Sequence, residues 1–259
     1  RLADALAVAS AVDAALHDLL ALQGGIPVYE LVGAPPRPEV PTARTIGIVE
    51  SAAAALAARA LVRAGYAVLK LKLGSADTGE DIARVRAVRA AAPDVRLLLD
   101  PNGAWDAGTA TDVLTALSPL GIDAVEQPVP AGSPEDLVRI AQATGLPIIA
   151  DEDAGTLADV RSLPAGLAGI NIKLAECGGI DAARQLATTA TAAGMHVMLG
   201  CLVASSLGIA PAVHLSGVAR WIDLDGHLLL TDDPWDGLGG HDGVLRCPDS
   251  GGLGVRRRH

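Results

Sequence analysis

The chain has 259 residues, half of them hydrophobic, with no phenylalanine and a formal charge of −10. That length and apolar content suit one large domain, and a (β/α)8 barrel needs roughly 250 residues. The acidic balance argues against nucleic acid or an anionic membrane as the main partner. The three cysteines, Cys177, Cys201 and Cys247, have no metal-ligand spacing, and their odd number suits a reducing cytoplasm. No signal peptide is visible, and no apolar run reads as long enough to span a bilayer.

Leu2 to Leu22 is alanine-rich and predicts a helix, with Gly24 and Gly25 as its stop. Pro35, Pro36, Pro38 and Pro41 then predict a linker. After it a period appears. Strand-like runs occur at Thr42–Ile48, Val68–Leu73, Arg96–Asp100, Asp123–Glu126, Pro147–Asp151, Gly169–Lys173, His196–Leu199 and Trp221–Leu224. Alanine-rich stretches separate the first seven from their successors. Ser133-Pro134-Glu135-Asp136 reads as a helix start, with a serine cap, proline in the first turn and acids near the positive dipole end. Apolar strands alternating with helices imply a parallel sheet covered on both faces, and eight of them at this spacing favour a closed barrel. From Gly226 onward the chain is rich in Gly, Asp and Pro and predicts irregular structure with one short hairpin.

In the second run, alternation places Leu69, Leu71 and Leu73 on one face and Lys70 and Lys72 on the other. Two ammonium groups side by side repel, and burial disfavours both. Either this is an edge strand with a solvated lysine face, or anions or a metal site lie opposite. The later strand ends favour the second. In a parallel barrel the active site gathers where strands end, and the ends read Lys70 and Lys72, Asp100, Glu126, Asp151, Lys173, then Asp223 and Asp225. From Lys72 to Lys173 the charged ends lie 28, 26, 25 and 22 residues apart, one βα unit each. Asp100, Glu126 and Asp151 would converge as three carboxylates, and a hard divalent ion such as Mg2+ relieves their repulsion. The alternative is that each acid caps the following helix. Asn102 and Glu152 are candidates for the surrounding shell, with Glu152 able to pair with a lysine.

Strands 2 and 6 lie nearly opposite in an eight-stranded barrel, so Lys72 and Lys173 would face each other across the metal. A cation and a second ammonium nearby both favour the neutral amine that a general base needs. Lys70 is better placed to hold negative charge. The chemistry this suits is removal of a proton next to a carboxylate whose enediolate the metal stabilises; the enolase superfamily is the standing example of that pattern.

These motifs resemble the enolase superfamily, in the branch of the muconate lactonizing enzymes: Lys70-Leu-Lys72, Asp100-Pro-Asn102, Glu126-Gln-Pro128, Asp151-Glu152, and Lys173 within Asn-Ile-Lys-Leu-Ala-Glu-Cys-Gly-Gly. Within that branch Thr45-Ile46-Gly47 and Asp223-Leu-Asp225-Gly226 are most similar to the dipeptide epimerases. The resemblance implies that Asp223 and Asp225 hold a free ammonium, and that Thr45 contacts the substrate. Alternation along the eighth strand would put both aspartates on one face. The resemblance also implies a TIM-like (β/α)7β barrel over residues 37–227. Residues 1–36 would be the last helix and linker of an α+β capping domain, and residues 228–259 a tail packing back toward that cap. Two departures stand out: Val203-Ala204-Ser205-Ser206 where relatives often carry a glutamate, and Asp153 where a serine is common.

The implied activity is Mg2+-dependent, two-base 1,1-proton transfer inverting the C-terminal residue of an L,L-dipeptide, with one ion per chain. The implied partner is that small molecule, with neither nucleic acid nor membrane, in a cytoplasmic protein for which a homo-oligomer stays open. The alternatives are another enzyme of the branch (muconate cycloisomerase, N-acylamino acid racemase or o-succinylbenzoate synthase) or a metal-binding barrel without activity. Arg44, His196, His214, His227 and Cys201 are read as surface or packing residues.

Overall fold

A computed structural model describes residues 5–258. The strands among the described residues are β1 (Glu39–Pro41), β2 (Ala43–Ile46), β3 (Val68–Lys72), β4 (Arg96–Asp100), β5 (Ile122–Glu126), β6 (Ile148–Ala150), β7 (Gly169–Lys173), β8 (His196–Gly200), β9 (Trp221–Ile222), β10 (Trp235–Asp236), β11 (Val244–Arg246) and β12 (Arg256–Arg257). The α-helices are α1 (Leu6–Gly24), α2 (Val28–Leu31), α3 (Ser51–Ala64), α4 (Thr78–Ala91), α5 (Ala107–Leu117), α6 (Pro134–Thr144), α7 (Leu157–Ser162), α8 (Leu174–Cys177), α9 (Ile180–Ala192) and α10 (Ser206–His214). One eight-stranded sheet takes β2 to β9 in chain order. This strand order, with helices between successive strands, is that of a (β/α)7β barrel.

Residue contacts divide the chain into two units: residues 43–154 with 158–171, and the rest. In the first of these the strands pair in parallel, and the register sets Thr45 against Lys70 and Lys72 against Asp100. Because β3 lies between β2 and β4, the edge-strand alternative for the lysine face fails. Leu69 and Leu71 are fully buried, and so are Leu97, Leu99 and Val125 on the neighbouring strands. Each such side chain stabilises the fold by roughly 2 kcal/mol. Lys70, on the opposite face of β3, is only 4% exposed. The helices of this unit start where their caps allow. Asp77 accepts from the Gly79 amide and Asp106 from the Thr109 amide. Ser133 does stand at the cap of α6 with Pro134 in the first turn, but its hydroxyl makes no cap hydrogen bond.

The other unit holds α1, α2, α8 to α10, β8, β9 and the tail. The Leu224 amide donates to Thr42 Oγ1 at 2.9 Å, within this unit. The prolines after residue 34 were expected to form a plain linker, yet Glu39–Pro41 pairs antiparallel with Val244–Arg246. The expected tail hairpin is present where Gly239 bridges Leu245 antiparallel, and β10 pairs with β12 twenty residues on. Helix α1 begins at Leu6, so Leu2 to Asp4 of the expected helix lie outside the described residues. Over its 19 residues α1 is long and apolar enough to cross a membrane by length and composition. This corrects the expectation that no apolar run is long enough to span a bilayer, and the helix carries two acids, Asp13 and Asp18. Those two acids serve as anchors: the Ile180 amide donates to Asp13 Oδ2 at 2.6 Å and the Leu253 amide to Asp18 Oδ1 at 2.7 Å.

Candidate active site

Asp100, Glu126 and Asp151 sit at the ends of β4 and β5 and just past β6, with exposures of 1%, 3% and 5%. Buried carboxylates require partners, and the lysines of β3 supply them. Lys70 Nζ lies 2.9 Å from Asp100 Oδ2 and 2.6 Å from Glu126 Oε2. Lys72 Nζ donates to Asp100 Oδ2 and to Asn102 Oδ1, both at 2.6 Å. The Asn102 amide donates in turn to Asp100 Oδ1 at 2.9 Å, with Asn102 in the left-handed region at φ 50°. Burial pushes the Asp100 carboxyl up, but the two ammonium groups outweigh it and hold the group below the usual carboxylate range.

Glu126 Oε1 accepts from Asn171 Nδ2 at 2.8 Å. The Asp151 amide donates to Gln127 Oε1 at 2.9 Å. Three buried carboxylates on adjacent strands carry more negative charge than two ammonium groups cancel, and all their donor atoms are hard oxygens. That donor set fits Mg2+, which takes carboxylate oxygens and leaves positions for substrate. Among the described residues Glu152 is exposed and makes no ion pair, so the expected lysine contact is not formed. Thr45 is partly buried beside Lys70 in register.

In the other unit, Lys173 closes β7 with 13% of its side chain exposed, and Glu176 Oε2 is 3.7 Å from its Nζ. Asp223 and Asp225 are 6% and 4% exposed. The alternation argument for this pair does not hold, because β9 ends at Ile222 and Asp225 has φ −89° and ψ 6°. Both acids therefore lie past the end of the strand, with the Asp223 amide still donating to the Leu199 carbonyl at 2.9 Å. Gly226 has no room for a Cβ, which would overlap the Leu202 carbonyl oxygen and lie 3.1 Å from Cys201 Sγ. His214 and His227 are buried and bonded to backbone carbonyls, as packing residues should be.

Two polar residues escaped the sequence reading. Asn171 is 4% exposed, and its Oδ1 is buried with no hydrogen-bond partner. Gln127 is 1% exposed in the left-handed region at φ 36°. The available signal was position: each follows or precedes a charged strand end within a quoted motif.

The family model described as enolase C-terminal domain-like matches residues 52–258. The chain is 36% identical over 253 residues to the L-Ala-D/L-Glu epimerase of Bacteroides thetaiotaomicron, covering 97% of this chain and 64% of that relative, less than two thirds of its length. Among solved structures it resembles a dipeptide epimerase of Enterococcus faecalis V583 complexed with Mg and L-Leu-L-Tyr, at TM-score 0.92 and 33% identity over 97% of this chain and 73% of that one. It resembles likewise a dipeptide epimerase of Methylococcus capsulatus complexed with Mg and L-Arg-D-Lys, at TM-score 0.88 and 36% identity over 97% and 73%.

Proposed function

Since the chain belongs to the enolase C-terminal domain-like family, we propose that it is a Mg2+-dependent epimerase inverting the α-carbon of the C-terminal residue of an L,L-dipeptide. The observation that carries this reading is the buried relay Lys72–Asp100–Lys70–Glu126, with contacts of 2.6 to 2.9 Å. Such a relay keeps two carboxylates and two amines in fixed positions at adjacent strand ends. The 33–36% identity to dipeptide epimerases supports the substrate class.

In this reading Asp100, Glu126 and Asp151 hold Mg2+, which when bound supplies Lewis acidity toward the substrate carboxylate. Lys72 and Lys173 are the two bases. One removes the α-proton and the other delivers a proton to the opposite face, so one begins neutral and the other charged. Asn102 Oδ1 and Asp100 orient the Lys72 ammonium. Lys70, ion-paired on both sides, holds charge and moves no proton. Asp223 and Asp225 receive the free ammonium of the dipeptide, as two buried anions suit one cation. Thr45 lies where it can touch substrate. Three free cysteines fit a cytoplasmic setting.

The test is a dipeptide library incubated in D2O with Mg2+ and read by mass and chirality. Active dipeptides gain one deuterium at the C-terminal α-carbon and appear as two epimers. Exchange of N-acylated amino acids with none of any free dipeptide would overturn the substrate assignment.

A further inference from the structure

We infer that Gln127 is a positioning residue for the metal site, and that its hydrogen bond to Asp153 sets the ion affinity. The inference rests on the reading of Asp100, Glu126 and Asp151 as ligands. Gln127 follows Glu126 directly and is 1% exposed. Every polar group it carries is engaged. Its amide N donates to the Ile149 carbonyl in β6 at 2.9 Å, and its carbonyl accepts from the Gly103 amide at 2.7 Å. Its side-chain Oε1 accepts from the Asp151 amide at 2.9 Å and, more weakly, from the Asp153 amide at 3.5 Å. Its Nε2 donates to the Val129 carbonyl at 3.0 Å and to Asp153 Oδ2 at 2.8 Å. One residue thus grips the segment after Asp100, the ligand Glu126 by chain adjacency, and the backbone of Asp151.

The backbone conformation gives the same answer. At φ 36° Gln127 occupies a region that residues with a Cβ rarely adopt, and such conformations persist only where the surroundings fix them. This left-handed residue stands just past β5, and its side chain reaches the Asp151 amide just past β6. Asp153 completes the clamp: its Oδ1 accepts from the Gly132 amide at 2.7 Å while its Oδ2 takes the Gln127 donor. A ligand's surroundings fix its orientation, and losing them typically weakens metal binding about 10- to 100-fold.

An exchange of donor and acceptor tests this. In Gln127→Glu the acceptor for the Asp151 amide remains, but the Val129 carbonyl loses its donor and two carboxylates then face each other at Asp153. In the double variant Gln127→Glu/Asp153→Asn the asparagine amide donates to the new carboxylate. Mg2+ is titrated calorimetrically into each variant without substrate, and thermal melts are recorded alongside. The expected result is a Kd about 10- to 100-fold weaker in Gln127→Glu, and about tenfold recovery in the double variant. Wild-type affinity in Gln127→Glu, or loss without recovery in the double variant, overturns the role, as does a lowered melting temperature with unchanged Kd. Where Gln127→Glu does not fold, Asp153→Asn alone reads the same bond, and unchanged affinity there overturns the role. Asp151→Asn separates the two readings. If it too leaves Mg2+ binding intact, the metal assignment itself fails, whereas loss in Asp151→Asn with none in Gln127→Glu refutes only the Gln127 inference.

Discussion

At the scale of single residues, the two lysines carry the sharpest consequence. Removing one base stops epimerisation but leaves exchange on the face served by the other. Lys72→Ala and Lys173→Ala are therefore each expected to exchange the α-proton of only one epimer in D2O, and to differ in which. Exchange of both epimers by both variants would defeat the two-base assignment. Asp223 and Asp225 give a second expectation. Both are over nine-tenths buried, so a substrate without a cationic nitrogen leaves them without its charge, at a cost on the order of several kcal/mol. N-acetylation of an active dipeptide should lower kcat/KM at least about 100-fold, since each 1.4 kcal/mol is tenfold. Comparable values for free and acetylated forms would remove the pair from ammonium recognition.

At the scale of elements, acid should loosen the ties of α10 and the tail. His214 ends α10, accepts from the Tyr29 amide through Nδ1 and bonds the Leu253 carbonyl through Nε2. Burial lowers its pKa from 6.5 more than Leu253 and Asp18 raise it, and burial likewise lowers that of His227. A depressed folded pKa means stability fully present above about pH 6.5 and lost as pH falls through the folded value. Each group contributes up to about 1.4 kcal/mol per pH unit in that window. Denaturant melts from pH 7 to 5 should show this slope, reduced in His214→Gln; an unchanged slope would exclude His214 as a source. The elements themselves were largely legible. Arg96–Asp100 and Gly169–Lys173 fall on their expected residues, because continuous apolar runs closed by a charge leave little freedom. The eighth strand stops two residues early, since Asp223 to Asp225 turn into a 3-10 segment that alternation cannot foresee. Gln127 was illegible for another reason. Its partners at positions 151 and 153 lie 24 and 26 residues on, and its backbone conformation has no local cue. Glu126, by contrast, was readable because a carboxylate ending an apolar strand is expensive unless something answers it.

At the scale of the molecule, ion binding should appear as global stability. A ligand at 100 times its Kd adds about 2.7 kcal/mol, which raises the melting temperature of a chain this long by on the order of 5–10 °C. Mg2+ should produce that shift in the wild type and not in Asp151→Asn, with Trp105 and Trp221, both buried, as fluorescent reporters. A shift of equal size in both proteins would place the ion elsewhere. The position of Lys70, held between Asp100 and Glu126, has a further consequence for handling. Its ammonium is a covalently tethered counter-ion that cannot be dialysed away, so the carboxylates on either side never face each other bare. Chelator treatment should therefore strip the protein without unfolding it. The emptied protein should take up Mn2+ or Co2+ afterwards, which opens the centre to paramagnetic and optical spectroscopy that Mg2+ does not permit.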